Sequence, residues 1–189
     1  MRDPSATAPA LRRPFTRLGT AGLAGHVFYE LAAGVGMPLA SVIGPVPAAG
    51  LWATASAVAL RAAGRRPSTN GGTWVGLMNG MGLASVLSHY TAWPSRRTRL
   101  GTPWLIECEG MGPDLMPAYN ATLYVTAVGA VGGLVRESRG GRRAGLLLAA
   151  AAPPLLIAAQ RREFRRLQEQ ARQRPAWWNR QLQRRSGSG

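Results

Sequence analysis

The side chains best suited to chemistry in this sequence are two histidines and a few acids that interrupt long apolar runs. His26 and Glu30 are four positions apart in the stretch GHVFYEL. Residues at this spacing lie on one face of a helix, where a carboxyl and an imidazole can share a proton. A charged carboxyl among apolar residues is costly in a membrane, so it needs a partner, a proton or a cavity. The spacing therefore predicts that Glu30, assisted by His26, is a proton donor, or that Glu30 hydrogen-bonds a neighbouring helix.

A second group of acids lies in TPWLIECEGMGPDLMPAYN, residues 102–120, which holds Glu107, Glu109 and Asp114. The prolines and glycines of this stretch exclude one continuous helix. Irregular backbone at membrane depth is tolerated only where it lines a cavity or is buried in protein. We expect Glu107 or Glu109 to be a second catalytic carboxyl, with a hydrated outer loop as the alternative. Asp114 follows a proline and can cap a short helix.

Polar side chains near these acids form a predicted substrate-binding set. Its members are Tyr29, Asn79, His89, Tyr119, Asn120 and Tyr124. Asn120 and Tyr124 share a helix face and would place hydrogen-bond donors beside the acids. His89 comes near the end of its apolar segment, where a satisfied polar contact is the alternative to a role in catalysis.

The pattern for a metal site is incomplete. H-x-x-x-E occurs at 26–30, but neither H-x-x-x-H nor E-x-x-H is present, so we expect no metal and no cofactor. Carboxylates and imidazoles from His26, Glu30, His89 and the 107–109 acids would suit iron or zinc if they met. Cys108 lies between two carboxylates, which disfavours a thiolate nucleophile.

The charge pattern indicates where the chain resides. The net charge is +15, and all 23 basic residues are arginine, which excludes lysine-based Schiff-base chemistry. The arginines are concentrated in blocks near 12–17, 61–66, 96–99, 136–143 and 161–185. The uncharged intervals are about as long as a crossing of the hydrocarbon core requires. This segregation predicts a multi-pass membrane protein, with no nucleic-acid partner.

The predicted fold is all-α: a small multi-pass integral membrane bundle of about five membrane-inserted helices. A disordered basic arm covers 1–18, the bundle covers 19–160, and a basic juxtamembrane tail covers 161–189. The predicted spans are 20–43, 46–63, 73–93, 118–135 and 144–160, with an irregular acidic element at 102–117 that could be re-entrant. G-x-x-x-G spacings at Gly76/Gly80 and Gly129/Gly133 predict close helix packing.

The topology follows from the basic segments. Arginine-rich segments favour the cytoplasmic side, so we expect both the N-terminus and the C-terminal tail there. An odd number of full spans would place the two termini on opposite sides of the membrane. Two arrangements avoid this: 144–160 is re-entrant and broken at Pro153-Pro154, or 102–117 also crosses the membrane. The tail is predicted to be an amphipathic helix up to Pro175 that lies on anionic headgroups, with Trp177 and Trp178 at the interface. The abundance of arginine, alanine, glycine and proline is typical of a GC-rich bacterium, which places the protein in its inner membrane.

Three functions are compatible with these features. The first is an intramembrane enzyme that uses its buried carboxylates as general acid and base on an apolar isoprenoid- or lipid-type molecule. Phe28-Tyr29-Glu30 in an early span, followed by a later acidic element, resembles small integral-membrane terpene cyclases, which implies cyclase-like protonation by membrane acids. The alternatives are a small proton-coupled transporter and a non-catalytic accessory subunit, held by helix–helix contacts to a partner or to further copies of itself.

Overall fold

A computed structural model describes residues 13–64 and 71–186, and α-helices account for most of them. The helices are α1 (Pro14–Ala33), α2 (Ala40–Ile43), α3 (Pro45–Gly64), α4 (Gly71–Ala92), α5 (Met116–Arg136), α6 (Arg142–Ala151), α7 (Pro153–Gln173) and α8 (Arg180–Ser186). Two short strands, β1 (Ser95–Arg97) and β2 (Pro103–Leu105), pair antiparallel between α4 and α5. The predicted all-α class is confirmed at this level.

Helices α1 and α5 form the antiparallel centre of the bundle. A Cβ added at Gly19 would lie 2.9 Å from the Ala130 nitrogen, and one at Gly22 would lie 2.7 Å from the Thr126 nitrogen. At the far end of the pair, the Glu137 carboxylate accepts hydrogen bonds from the backbone N–H groups of Phe15 and Thr16. Because small residues let the two backbones approach closely, this contact holds α1 along its whole length.

Helix α4 packs on α5 and, through glycines, on α6. Gly76 and Gly80 face Gly141 and Gly145 so closely that a Cβ at either α4 position would overlap the facing backbone. The order of these pairs shows that α4 and α6 run in the same direction. The predicted close helix packing is therefore present at three of the four G-x-x-x-G glycines. Gly76, Gly80 and Gly129 each contact the backbone of a neighbouring segment.

Helices α6 and α7 are separated by a bend of 48° at Ala152. Proline at the start of α7 removes backbone donors to the preceding turn, which explains the break. The chain does not reverse there: α6 begins against Gly76, and α7 carries Gln160 to His89 at the other end of α4. The chain therefore changes direction by 48° at this break without forming a tight hairpin, and the predicted re-entrant segment stays a prediction.

The tail and the start of α1 lie at opposite ends of the bundle. The Gln181 N–H donates to the Gly34 carbonyl just beyond the last turn of α1, whereas Glu137 caps its first turn. The prediction that both termini lie on the cytoplasmic side stays a prediction. Residues 1–12 of the predicted arm lie outside the described residues, and 14–18 are helical.

Membrane-span criteria are met by few of these helices. Among the described residues, Pro113–Arg136 is long and apolar enough to cross a membrane, and the bent α6–α7 pair passes when taken as one unit. One or two such helices indicate membrane association only weakly, and they do not establish the predicted five spans. Large apolar side chains are nevertheless exposed on several helices, among them Val46, Leu51, Val58, Val128, Val135, Leu147 and Leu155.

The C-terminal tail packs back on the bundle. Leu167 and Ala171 of α7 are buried in the core, and Phe164 is partly buried against it. The predicted amphipathic stripe therefore faces protein, while Arg165, Arg166 and the other arginines of α7 are exposed. The helix ends at Gln173, close to the predicted end before Pro175.

Candidate functional site

A cavity of about 240 Å³ lies near the end of the bundle that carries the tail. Its walls come from α1, the α1–α2 link, α3, α4 and α7, and most of its lining is apolar. The apolar lining includes Leu23, Met37, Trp52, Met81, Leu156 and Phe164. Among these side chains lie His26, Glu30, His89, Glu109 and Gln160, and no arginine is among the described residues of the wall.

Glu30 is positioned by the last turn of α1 and is 2 % exposed. The Tyr119 hydroxyl, which is fully buried on the first turn of α5, donates to Glu30 Oε1 at 2.5 Å. The Nε2 atoms of His26 and His89 lie 4.0 and 3.8 Å from the same oxygen. Helices α1, α4 and α5, which are far apart in the sequence, thus bring one carboxyl, two imidazoles and one phenol together.

His89 is fixed through both ring nitrogens. Its Nδ1 lies 2.7 Å from the Ser85 carbonyl oxygen, one turn earlier on α4. This contact requires a proton on Nδ1, since a carbonyl oxygen can only accept. The Nε2 lone pair then accepts from the Gln160 amide of α7 at 2.6 Å. The neutral ring consequently points its basic nitrogen towards Glu30 and the cavity.

His26 has no such support. Its Nδ1 is buried without a hydrogen-bond partner among the described residues, and its ring packs edge-on against His89 and Tyr119. A buried polar group without a partner costs about 1–3 kcal/mol. Buried polar atoms of this kind are usually paired with protein or with ordered water.

Glu109 reaches the cavity from a tight turn. Glu109 and Gly110 have φ angles of 48° and 84°, and the Met111 N–H donates to the Cys108 carbonyl at 2.7 Å. Positive φ at both central residues is the signature of a type I′ turn, which an acid tolerates less well than glycine. Burial raises the pKa of the Glu109 carboxyl to about 8, and the neighbouring Glu30 carboxyl acts in the same direction. The turn therefore holds a readily protonated acid on the cavity wall.

Cys108 is buried beside this acid. Its thiol lies 3.8 Å from the Tyr119 hydroxyl, and burial raises its pKa well above the ordinary value, with Glu109 adding to the effect. The expectation that Cys108 is not a thiolate nucleophile agrees with this environment.

The remaining predicted site residues have structural partners elsewhere. Asn79 donates to Thr16 and Ser138 near the opposite end of α4. The Asn120 side chain bonds the Leu105 N–H, the Leu105 carbonyl and the Met116 carbonyl, which ties β2 to α5. The Tyr124 hydroxyl donates to the Pro103 carbonyl.

Two further predicted residues lie close to the cavity but not on its wall. The Tyr29 hydroxyl donates to the Leu115 carbonyl, and its ring packs on Tyr119. Glu107 is half-buried and lies outside the cavity lining. Of the two alternatives, Glu109 is therefore the acid that the fold brings to Glu30.

Sequence reasoning missed the contribution of α7. Gln160 touches His89, and Glu163 lines the cavity while accepting from the backbone N–H and hydroxyl of Ser41. The sequence feature that could have indicated this role is the position of Gln160 and Glu163. They lie at the boundary between the apolar half of α7 and its arginine-rich half. The sequence pattern predicts that the arginine-rich half lies on lipid headgroups, whereas Gln160 and Glu163 line the cavity.

Two overlapping side-chain sets have the composition of a metal site. His26, Glu30 and His89 offer ligand atoms within 4.8 Å of one another, and so do His89, Cys108 and Glu109. Carboxyl groups and imidazoles on an otherwise apolar wall can also transfer protons to a bound molecule or stabilise positive charge on it.

Comparison with protein-family models, curated proteins and solved structures found no match. The resemblance of Phe28-Tyr29-Glu30 to membrane terpene cyclases therefore stays a prediction. The function has to be inferred from the geometry of the cavity and of the side chains in its wall.

Proposed function

We propose that this protein is a membrane-embedded enzyme that transfers a proton to or from a small apolar molecule bound in the cavity. The observation that carries the proposal is the convergence of Glu30, Glu109 and His89 on a wall that is otherwise apolar. Ligand sites typically combine an apolar cavity with a few convergent polar groups. An isoprenoid- or lipid-type substrate, including a cyclase substrate, fits this combination.

The membrane location is part of the proposal. Five helical passes, α1, α3, α4, α5 and the bent α6–α7 unit, would cross the bilayer. Exposed Val and Leu side chains on α3, α5, α6 and α7 support this location, because such large apolar surfaces are unfavourable in water. The exposed arginines of α7 would then lie at anionic headgroups, where each contributes about 1 kcal/mol.

Access to the cavity supports an apolar substrate. Leu39 and Met81 line the cavity and are 43 % and 39 % exposed. A molecule dissolved in the bilayer can enter along these side chains without crossing water. The volume of about 240 Å³ lies just below the range of about 300–1,000 Å³ typical of ligand pockets. The cavity thus suits a small molecule or one end of a longer chain.

Each polar group in the cavity wall would have a different role. Glu109, on its strained turn, is the proton donor or acceptor that faces the cavity. Glu30, held by the Tyr119 hydroxyl, is the second carboxyl beside the bound molecule. His89, whose Nε2 lies 3.8 Å from Glu30 Oε1, lies beside both carboxyls on the same wall. No arginine in the described wall competes for the acids.

The test uses deuterium. The full chain in lipid nanodiscs is incubated in D₂O with a panel of isoprenoid alcohols, quinones and fatty acyl compounds, and products are analysed by mass spectrometry. We expect one compound to gain deuterium on carbon with the wild-type chain. Glu109→Gln and Glu30→Gln should abolish the exchange while leaving binding of that compound intact.

A cavity-blocking pair provides the matched control. Ala159 lines the cavity, whereas Ala158 is exposed on the same helix and does not line it. Ala159→Trp should abolish binding and exchange together, and Ala158→Trp should change neither. Absence of exchange with every compound, combined with unchanged binding in Ala159→Trp, would contradict the proposal and favour the accessory role. Proton-coupled flux of a bound compound without chemical change would favour the transporter.

A further inference from the structure

His26 lies in a cluster whose composition matches a transition-metal site. His26, Glu30 and His89 come from two helices, are each at most 4 % exposed, and present ligand atoms within 4.8 Å of one another. We propose that these three side chains bind a divalent transition-metal ion of the zinc or iron(II) class. The sequence pattern predicted no metal, because only the fold brings His89 to the 26–30 pair.

The spacing of the ligand atoms fits such an ion after a small contraction. The His26 and His89 Nε2 atoms are 4.0 and 3.8 Å from Glu30 Oε1. Ligand atoms about 2.0–2.2 Å from a tetrahedral zinc ion are about 3.4 Å apart. These two distances therefore have to shorten by about half an ångström, which rotation of the side chains supplies. The cavity beside the cluster leaves a fourth position open for water or substrate.

The surroundings of the cluster resemble the second shell of a metal site. The His89 Nδ1–H donates to the Ser85 carbonyl, which fixes the tautomer with a free Nε2 lone pair. A ligating histidine commonly has such a partner on its other nitrogen. The Tyr119 hydroxyl donates to Glu30 Oε1 and orients that carboxyl. The Gln160 amide now contacts His89 Nε2 and has to rotate aside when the ion binds.

The alternative set of His89, Cys108 and Glu109 is less suitable. Its thiol is fully buried, touches the Tyr119 hydroxyl and is flanked by acids, an environment that disfavours the thiolate that a metal requires. The His26 set needs no thiolate, and its two imidazoles and one carboxyl are a ligand combination that zinc sites with an open position use.

The inference is tested without substrate, so its outcome is independent of the proton-transfer proposal. The untagged full chain is purified in detergent, stripped with a chelator, reloaded with Zn²⁺ and desalted, and bound zinc is measured by mass spectrometry. We expect one zinc per chain for the wild type, for Cys108→Ser and for the exposed-acid control Asp114→Asn. His26→Ala, His89→Ala and Glu30→Gln should each weaken binding tenfold or more.

X-ray absorption at the zinc edge of the wild-type chain covers the case in which the variants do not fold. Two imidazole nitrogens and an oxygen near 2.0–2.2 Å are expected. A sulfur ligand near 2.3 Å would assign the metal to the Cys108 set and overturn the inference. Failure of the helical, wild-type chain to retain stoichiometric zinc would also overturn it. Neither of these results would change the expected deuterium exchange. Absence of deuterium exchange, in turn, would not change the expected zinc binding.

Discussion

The contact between α4 and α6 gives the sharpest prediction on stability, because two helical glycines in this chain respond oppositely to one substitution. Gly80 faces Gly145 across the interface, and a Cβ added there would lie 2.7 Å from Gly145 Cα and nearer still to its carbonyl oxygen. Gly50, in the middle of α3, has no heavy atom within 4 Å of the position of its missing Cβ. The comparison of Gly80→Ala with Gly50→Ala therefore isolates helix contact from helix propensity.

The magnitudes follow from the geometry. Ordinary Cβ contacts begin at 3.4 Å, so Gly80→Ala forces α4 and α6 apart by at least about 0.7 Å. A separation of this size forfeits a quarter to a half of the dispersion energy of each facing atom pair, and overpacking costs about 1–3 kcal/mol in total. Replacing glycine by alanine inside a helix raises the free energy of unfolding by about 0.5–1 kcal/mol. We expect Gly80→Ala to lose about 1–2 kcal/mol and Gly50→Ala to gain about 0.5–1 kcal/mol.

The assay is equilibrium unfolding by SDS in mixed micelles, followed by far-UV circular dichroism. The free energies of unfolding of the two variants should move in opposite directions from the wild-type value, with unchanged slopes. If Gly80→Ala stabilises the protein as much as Gly50→Ala does, α4 and α6 are not in backbone contact and the proposed packing is wrong.

Two other predictions concern hydrogen bonds that hold elements in place. Glu137→Ala removes three hydrogen bonds to Phe15 and Thr16, one of them from a buried hydroxyl, and should lower the free energy of unfolding by about 2–4 kcal/mol in the same SDS titration. Glu169→Ala, at an exposed acid of α7, should be neutral, and equal effects would refute the capping role. Asn120→Ala frees β2 from α5, so maleimide labelling of Cys108 should accelerate at least tenfold under native conditions. Labelling at the wild-type rate would show that Asn120 does not fasten the 95–112 element.

The helices were predictable because their signals are local. Segregated arginines, uncharged intervals and paired prolines indicated helices that correspond to α3, α4, α5 and the bent α6–α7 unit. The first predicted span, 20–43, was too long: left-handed glycines at Gly34 and Gly36 end α1 and separate it from α2. A Gly-x-Gly within an apolar run was the available signal for this break.

What the sequence by itself determined is the all-α class, the prominence of Glu30 and His26, and the irregular nature of the acidic stretch, since each depends on residues that are neighbours in the chain. The choice of Glu109 over Glu107, the approach of His89 to Glu30 and the presence of Gln160 in the wall were decided only by tertiary structure. These depend on the angle between helices and on one tight turn, which are set by glycine contacts between residues distant in the sequence. The direction of the tail was decided in the same way, because α7 leaves α6 at a bend of 48° at Ala152 and reaches the cavity.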